Sequence, residues 1–188
     1  QARLAAREYA AAMGVPAPIK FTCVAPTGTI SALPGVTAGI HPIFSRYFVR
    51  RVRYAADDPL LQEHIDKGRH IEDDLYAANT VVVSIPCRDP ILDRYEEHLI
   101  EQVDEINLAD LLATEAFVQR NYSDNAVSFT ANVSPEISPS HLAAVVAHYA
   151  PQVKGLTVFP DVSRPQSPYE RIDKNTYDMA AGTETGQA

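Results

Sequence analysis

The chain has 188 residues, about one domain's worth of polypeptide, and at 46% hydrophobic and 21% charged it can bury a core rather than remain a disordered tail. Its 24 acidic and 16 basic residues leave a formal charge of -8, which argues against a general nucleic-acid coat, because phosphate backbones are gripped by Lys and Arg. No apolar run approaches the roughly 20 residues of a membrane helix, and the 2 cysteines, Cys23 and Cys87, are too few for a disulfide framework or a four-cysteine zinc site. The expected setting is therefore a reducing cytoplasm, away from membranes. The opening QARLAAREYA is a charged amphipathic pattern and not a signal peptide. Because it begins without Met, the chain is expected to be a processed product or a piece of something longer.

Residues 2–13 read as a helix, with Leu4, Ala5, Tyr9 and Ala12 near a 3.6 period and Gly14 and Pro16 as stops. Ile19 to Val24 is a strand candidate that ends in the turn Pro26-Thr27-Gly28-Thr29. Ser31 to Gly39 is expected to be a short helix or irregular loop. Arg46 to Tyr54 alternates bulky apolar and basic residues, as a half-buried strand does. Asp58 to Lys67 starts with an acidic cap and Pro59, so a helix is predicted. Thr80 to Ile85 (TVVVSI) reads as a strand buried on both faces. Helices are predicted over Asp93 to Asp104 and over Asn107 to Arg120, the second capped by Asn107. Ala126 to Val133 is a strand, Ser138 or Ser140 caps a helix reaching about Tyr149, and Lys154 to Phe159 is a last strand. From Pro160 the composition turns polar, and residues 180–188 should be disordered. Strands alternating with helices argue an α/β fold.

The turn VAPTGTIS (Val24 to Ser31) carries the strongest chemical signal. Gly28 lets a ligand approach the backbone closely. Thr27, Thr29 and Ser31 offer hydroxyls, and successive N–H groups at a helix start make a small anion nest that suits a phosphate. The same residues also suit a plain cap after a strand, and composition alone favours the cap. It is not a P-loop, since the GxxxxGK spacing is missing. Arg46, Arg50, Arg51 and Arg53 could meet a phosphate, but a strand face paired with Asp or Glu is the better reading. His98 and Glu101 have helical spacing, yet no HExxH or dimetal set accompanies them, so no metal is expected. His41 could touch a ligand, and a hydrogen-bonded structural histidine is the safer reading. Cys23 and Cys87 read as small buried apolar residues rather than nucleophiles.

In combination these segments resemble a known family. Residues 21–54, FTCVAPTGTISALPGVTAGIHPIFSRYFVRRVRY, resemble the strand, PSGT-type loop and following strand of adenosylcobalamin-dependent (class II) ribonucleotide reductases. In the same order, GRHIEDDLYAANTVVVSIPCRDP (68–90) is similar to a segment of the monomeric, triphosphate-type enzymes. FVQRNYSDNAVSFTANV (117–133) is similar to the family's late helix and strand, and KGLTVFPDVSRPQSPYERI (154–172) to its final barrel strand and the segment after that strand. The resemblance covers about residues 15 to 175.

The resemblance implies a ten-stranded α/β barrel made of two five-stranded halves, with a radical cysteine on an inner finger loop. Residues 1–160 would be the C-terminal portion of that barrel and 161–188 a C-terminal extension. In the family, adenosylcobalamin generates a thiyl radical, the radical abstracts the ribose 3′ hydrogen, the 2′ hydroxyl leaves as water and a cysteine pair supplies electrons. The PSGT-type loop binds the substrate phosphates, so that role falls on Thr27, Gly28, Thr29, Ile30 and Ser31. With two readings converging, phosphate binding becomes the favoured one. The departures also carry information. No Asn-x-Cys-x-Glu motif occurs, Cys23 and Cys87 match neither the radical cysteine nor the reducing pair, and no cysteine follows Cys87. The strand LTVFPD lacks the tyrosine pair of the aerobic class I enzymes, which favours class II.

The implied function is thus the C-terminal part of a ribonucleoside-triphosphate reductase that contributes the substrate loop but no catalytic residue. Its implied partners are the ribonucleotide substrate, a thioredoxin-like reductant and the N-terminal half of the barrel, with adenosylcobalamin as cofactor of the complete enzyme. On this reading the chain alone should be inactive, and poorly soluble, oligomeric or dependent on a complementing chain. The alternatives are a non-catalytic nucleotide-binding or assembly subunit, and a degenerate remnant that binds nothing.

Overall fold

The computed structural model describes residues 1–28, 30–161 and 164–185. The chain divides into two units, one of Gln1–Pro42 with Val103–Asp161 and the other of Ile43–Gln102 with Val162–Ala188.

The first unit is organised by the helix Leu108–Asn121 (α3), which begins where the sequence places its cap: the Asn107 side-chain oxygen accepts the Asp110 N–H at 3.0 Å. Leu108, Leu111, Leu112 and Ala116 lie on its buried face and pack on Val103, Val127, Phe129, Ala131 and Val133. Each fully buried aliphatic side chain of this kind contributes about 1.5–3 kcal/mol. Two short parallel strands, Ala131–Val133 (β4) and Val158–Pro160 (β5), run alongside in the register Ala131–Val158 to Val133–Pro160. The helix Pro139–Tyr149 (α4) has Ser138 as its cap and Pro139 in its first turn. An N-terminal helix, Ala2–Ala12 (α1), matches the predicted span and buries only Ala10. It is tied down by Arg3, which donates to Asp124 at 2.5 Å and lies over the Phe21 ring.

The second unit is a four-stranded antiparallel sheet. Its strands are Tyr47–Ala55 (β1), His70–Asp73 (β2), Thr80–Arg88 (β3) and Tyr169–Arg171 (β6), in the order β2-β3-β1-β6. The helix Lys174–Thr185 (α5) packs on β3 and β1, with Tyr177 against Tyr47. A short helix, Leu61–Asp66 (α2), buries Leu61 and His64.

Several elements differ from their sequence expectation. Ile19 to Val24 forms no strand, only a parallel bridge from Val24 to Val127, because Pro16, Pro18 and Pro26 remove donors and set the backbone around it. The strand expected over 126–133 shrinks to Ala131–Val133, and the Thr130 N–H goes to a histidine side chain instead of a neighbouring strand. Similarly, the last predicted strand begins only at Val158. The helix expected over 93–104 is replaced by 3-10 turns at Pro90–Asp93, Glu97–Leu99 and Val103–Glu105. There the Arg46 guanidinium takes the carbonyls of Glu97 and Ile100, which an α-helix would have used internally. The predicted 58–67 helix is shorter because the Asp58 carboxylate and carbonyl hold Leu60 and Leu61 in a turn. In TVVVSI only Val82 and Val83 are fully buried, since this sheet is antiparallel. Residues 180–185 continue α5 where disorder was expected, while 186–188 lie outside the described residues. The segment after Asp161 contributes β6 and α5 to the second unit.

Glu115 occupies the buried face of α3 at 1% exposure, and its Oε2 has no hydrogen-bond partner among the described residues. Burial pushes its carboxyl up to about 7. The folded chain then holds a proton that the unfolded chain releases above the ordinary carboxylate range. This contribution is complete at low pH and is lost as pH rises through 7. Urea unfolding between pH 5 and 8 should show stability falling by about 2 kcal/mol, and Glu115→Gln should abolish the part of the slope that Glu115 causes.

Candidate functional site

Thr22 opens the approach to the candidate loop. Its hydroxyl donates to the Tyr122 carbonyl at 2.6 Å and accepts the Asp124 N–H at 2.9 Å. The Asn125 N–H donates to the Thr22 carbonyl, and the Ser128 N–H donates to that of Val24. These bonds lay residues 22–24 parallel to the chain that leads into β4.

Beyond Pro26 the loop closes on itself. The Ser31 N–H donates to the Thr27 carbonyl at 2.9 Å, and Ile30–Ala32 form one 3-10 turn. The Leu33 N–H donates to Ile30 and the Val36 N–H to Ser31. The Thr27 side-chain oxygen accepts the Gly39 N–H at 2.8 Å, so the far end of the loop returns to its start. Ser31 is buried, and its hydroxyl reaches the Gly28 carbonyl at 3.5 Å. The predicted residues Thr27, Gly28, Ile30 and Ser31 are thereby brought into a single turn, and Thr29 lies outside the described residues. Their division of labour differs from the expectation. The Thr27 hydroxyl and the Ser31 amide hold the loop's shape, whereas the amides of Gly28 and Ile30 have no partner among the described residues. The turn is too short to add a helix dipole, so any anion would be held by individual N–H groups. A Cβ built on Gly28 would meet nothing within 4 Å, which leaves open space beside that residue.

The other candidates resolve as structural groups. His41 has both ring nitrogens engaged and stacks on Phe129 with ring centroids 4.8 Å apart. Arg51 pairs with Glu170 and donates to the Ser167 carbonyl, and Arg53 pairs with Asp74 at 2.5 Å and donates to the Gln166 carbonyl. Arg46 is committed to the Glu97 and Ile100 carbonyls, and Arg50 is exposed. His98 and Glu101 are exposed, His98 lies 3.4 Å from Glu96, and no cluster able to hold a metal occurs among the described residues. Both cysteines were expected to be buried, but Cys87 is only half-buried and Cys23 is exposed. The correction has a simple cause: its segment is bonded to residues 125–128 by a bridge and not enclosed in a sheet.

Sequence reasoning missed one feature. A groove of about 590 Å³ opens where β4 and β5 end and α3 begins, lined in part by Asp104, Glu105, Asn132, Glu136, His141 and Asp161. Carboxyl ends of parallel strands are common ligand positions, but the sequence did not reveal which strands pair in parallel.

The family profile described as the ribonucleotide reductase barrel domain matches residues 17–159. The chain belongs to the ribonucleotide reductase family, within its barrel domain. It is 44% identical, over 94% of its length, to a putative adenosylcobalamin-dependent ribonucleoside-triphosphate reductase of Mycobacterium phage D29, of which it covers 28%. It is 34% identical, over 92% of its length, to the adenosylcobalamin-dependent ribonucleoside-triphosphate reductase of Levilactobacillus brevis, of which it covers 23%. It superposes with a TM-score of 0.78 and 31% identity on a crystal structure of a B12-dependent (class II) ribonucleotide reductase, covering 98% of this chain and 25% of that one. The chain therefore spans about a quarter of the length of the relatives it matches.

Gly39 and Gly28 separate two roles. Gly39 has φ +56, and a Cβ there would lie 3.3 Å from Val24 Cγ1, whereas Gly28 is unobstructed. Gly39→Ala should lower stability by about 1–2 kcal/mol and Gly28→Ala by much less, as read by thermal unfolding.

Proposed function

We propose that this chain is part of an adenosylcobalamin-dependent ribonucleotide reductase acting on ribonucleoside triphosphates, and that its Thr27–Ser31 turn receives the substrate phosphates. The observation that carries the reading is the tie between Thr27 and Gly39, which returns the far end of the loop to its start, while the Gly28 and Ile30 amides have no partner among the described residues and the space beside Gly28 is open. A phosphate bound there would accept those N–H bonds, and charge-assisted bonds of this kind are stronger than neutral ones. The names of the phage and lactobacillus relatives support the triphosphate substrate and the cofactor.

When bound, adenosylcobalamin supplies the radical for the reaction. Replacing the 2′ hydroxyl by hydrogen consumes two electrons, which we assign to a thioredoxin-like dithiol acting on the enzyme. The N-terminal portion of the barrel would contribute the radical cysteine. No described helix is long and apolar enough to cross a membrane.

The test is steady-state reduction of a ribonucleoside triphosphate by the complete reductase carrying this chain. Turnover should require adenosylcobalamin. Gly28→Val should raise KM about tenfold or more by closing the approach to the turn. Nucleotide binding without turnover in the assembled protein would favour a non-catalytic subunit. An unchanged KM for Gly28→Val would remove the phosphate role from this loop.

A further inference from the structure

The peptide between Ala38 and Gly39 is held from both ends. Its carbonyl oxygen accepts the His41 Nδ1–H at 2.8 Å, and also the His41 backbone N–H at 2.9 Å. Its N–H donates to the Thr27 hydroxyl oxygen at 2.8 Å. A peptide unit is planar, so fixing the carbonyl also aims the N–H. His41 is itself anchored. Its Nε2 accepts the Thr130 N–H at 2.9 Å, and its ring stacks on Phe129, which is buried in the core under α3. These two bonds define a neutral imidazole with the proton on Nδ1. The sequence left His41 open between a ligand contact and a structural role. The geometry gives it a third, because its bonds run from the core, through one peptide, to the residue that begins the candidate phosphate turn.

We propose that His41 is the positioning residue of the substrate loop: it orients the Ala38–Gly39 peptide, which holds the Thr27 side chain and presents the Gly28 and Ile30 amides to the substrate's phosphates. This rests on the phosphate reading of the Thr27–Ser31 turn. His41 touches no substrate atom in this scheme, and both ring nitrogens are committed. Loss of its hydrogen bonds should therefore loosen phosphate binding while leaving the chemical step and the nucleoside contacts intact.

The experiment compares three variants in the complete reductase with KM and kcat for a ribonucleoside triphosphate, Kd for the matching nucleoside without phosphates, and the thermal midpoint. His41→Phe keeps a ring for Phe129 and loses both hydrogen bonds. His41→Gln can still offer one donor and one acceptor. Thr27→Val removes the acceptor at the other end of the same peptide. The expected result for His41→Phe is a KM raised about tenfold, with kcat and nucleoside affinity within about twofold of the parent. His41→Gln should recover part of that loss, and Thr27→Val should reproduce it. Should His41→Phe fail to fold, Thr27→Val carries the same comparison. Equal losses for triphosphate and nucleoside, a fall in kcat alone, or a KM unchanged in folded variants would overturn the proposal. If Gly28→Val raises KM while His41→Phe and Thr27→Val do not, positioning by His41 fails and the loop assignment survives. If Gly28→Val, His41→Phe and Thr27→Val all leave KM unchanged, the loop assignment itself fails.

Discussion

Gln119 spends its whole side-chain amide on the backbone of the first unit. Its Nε2 donates to the carbonyls of Ser123 and Asn125, and its Oε1 accepts the Lys154 N–H. One buried residue thus satisfies polar groups on the turn after α3 and on the approach to β5. Left unpaired, each of these groups would cost about 1–3 kcal/mol on burial. The consequence reaches the loop. With Asn125 fixed, its N–H meets the Thr22 carbonyl, and residues 22–24 take their parallel course beside Val127. The candidate phosphate turn inherits its starting direction from that alignment.

The arginines of β1 show a different use of charge. In a chain of net charge -8, a run of arginines invites a search for an anionic ligand. Arg51 and Arg53 instead join β1 to the segments around Glu170, Gln166 and Asp74. Asp74 is itself held ionised, mainly by the Tyr76 N–H and with help from Arg53, so its carboxyl sits below the usual range. The basic stripe helps assemble the second unit, and the candidate anion site lies in the first, on backbone N–H groups that carry no formal charge.

Much of the local structure was legible because it depends on adjacent residues. The caps of α3 and α4 follow from Asn107 and Ser138, whose oxygens suit the free N–H groups of a helix start. The turn at Thr27-Gly28 follows from residues that tolerate tight backbone paths. The division of work inside that turn was not legible. Whether the Thr27 hydroxyl faces a ligand or the Gly39 N–H depends on a residue 12 positions away. His41 was equally ambiguous, since its partners are Ala38 nearby and Thr130 far along the chain.

By itself the sequence determined the family, the helices with polar caps, and the long alternating strands β1 and β3, because these are written in adjacent residues and short spacings. Tertiary structure alone decided the rest. It broke the 93–104 segment into 3-10 turns when Arg46 captured its carbonyls, and it recruited His70–Asp73 and Tyr169–Arg171 as strands by pairing them with longer ones. It also exposed Cys23 and buried Glu115 without a partner for Oε2 among the described residues. Each of these outcomes turns on which distant group fills a hydrogen-bonding or packing position, and local sequence pattern does not encode that choice.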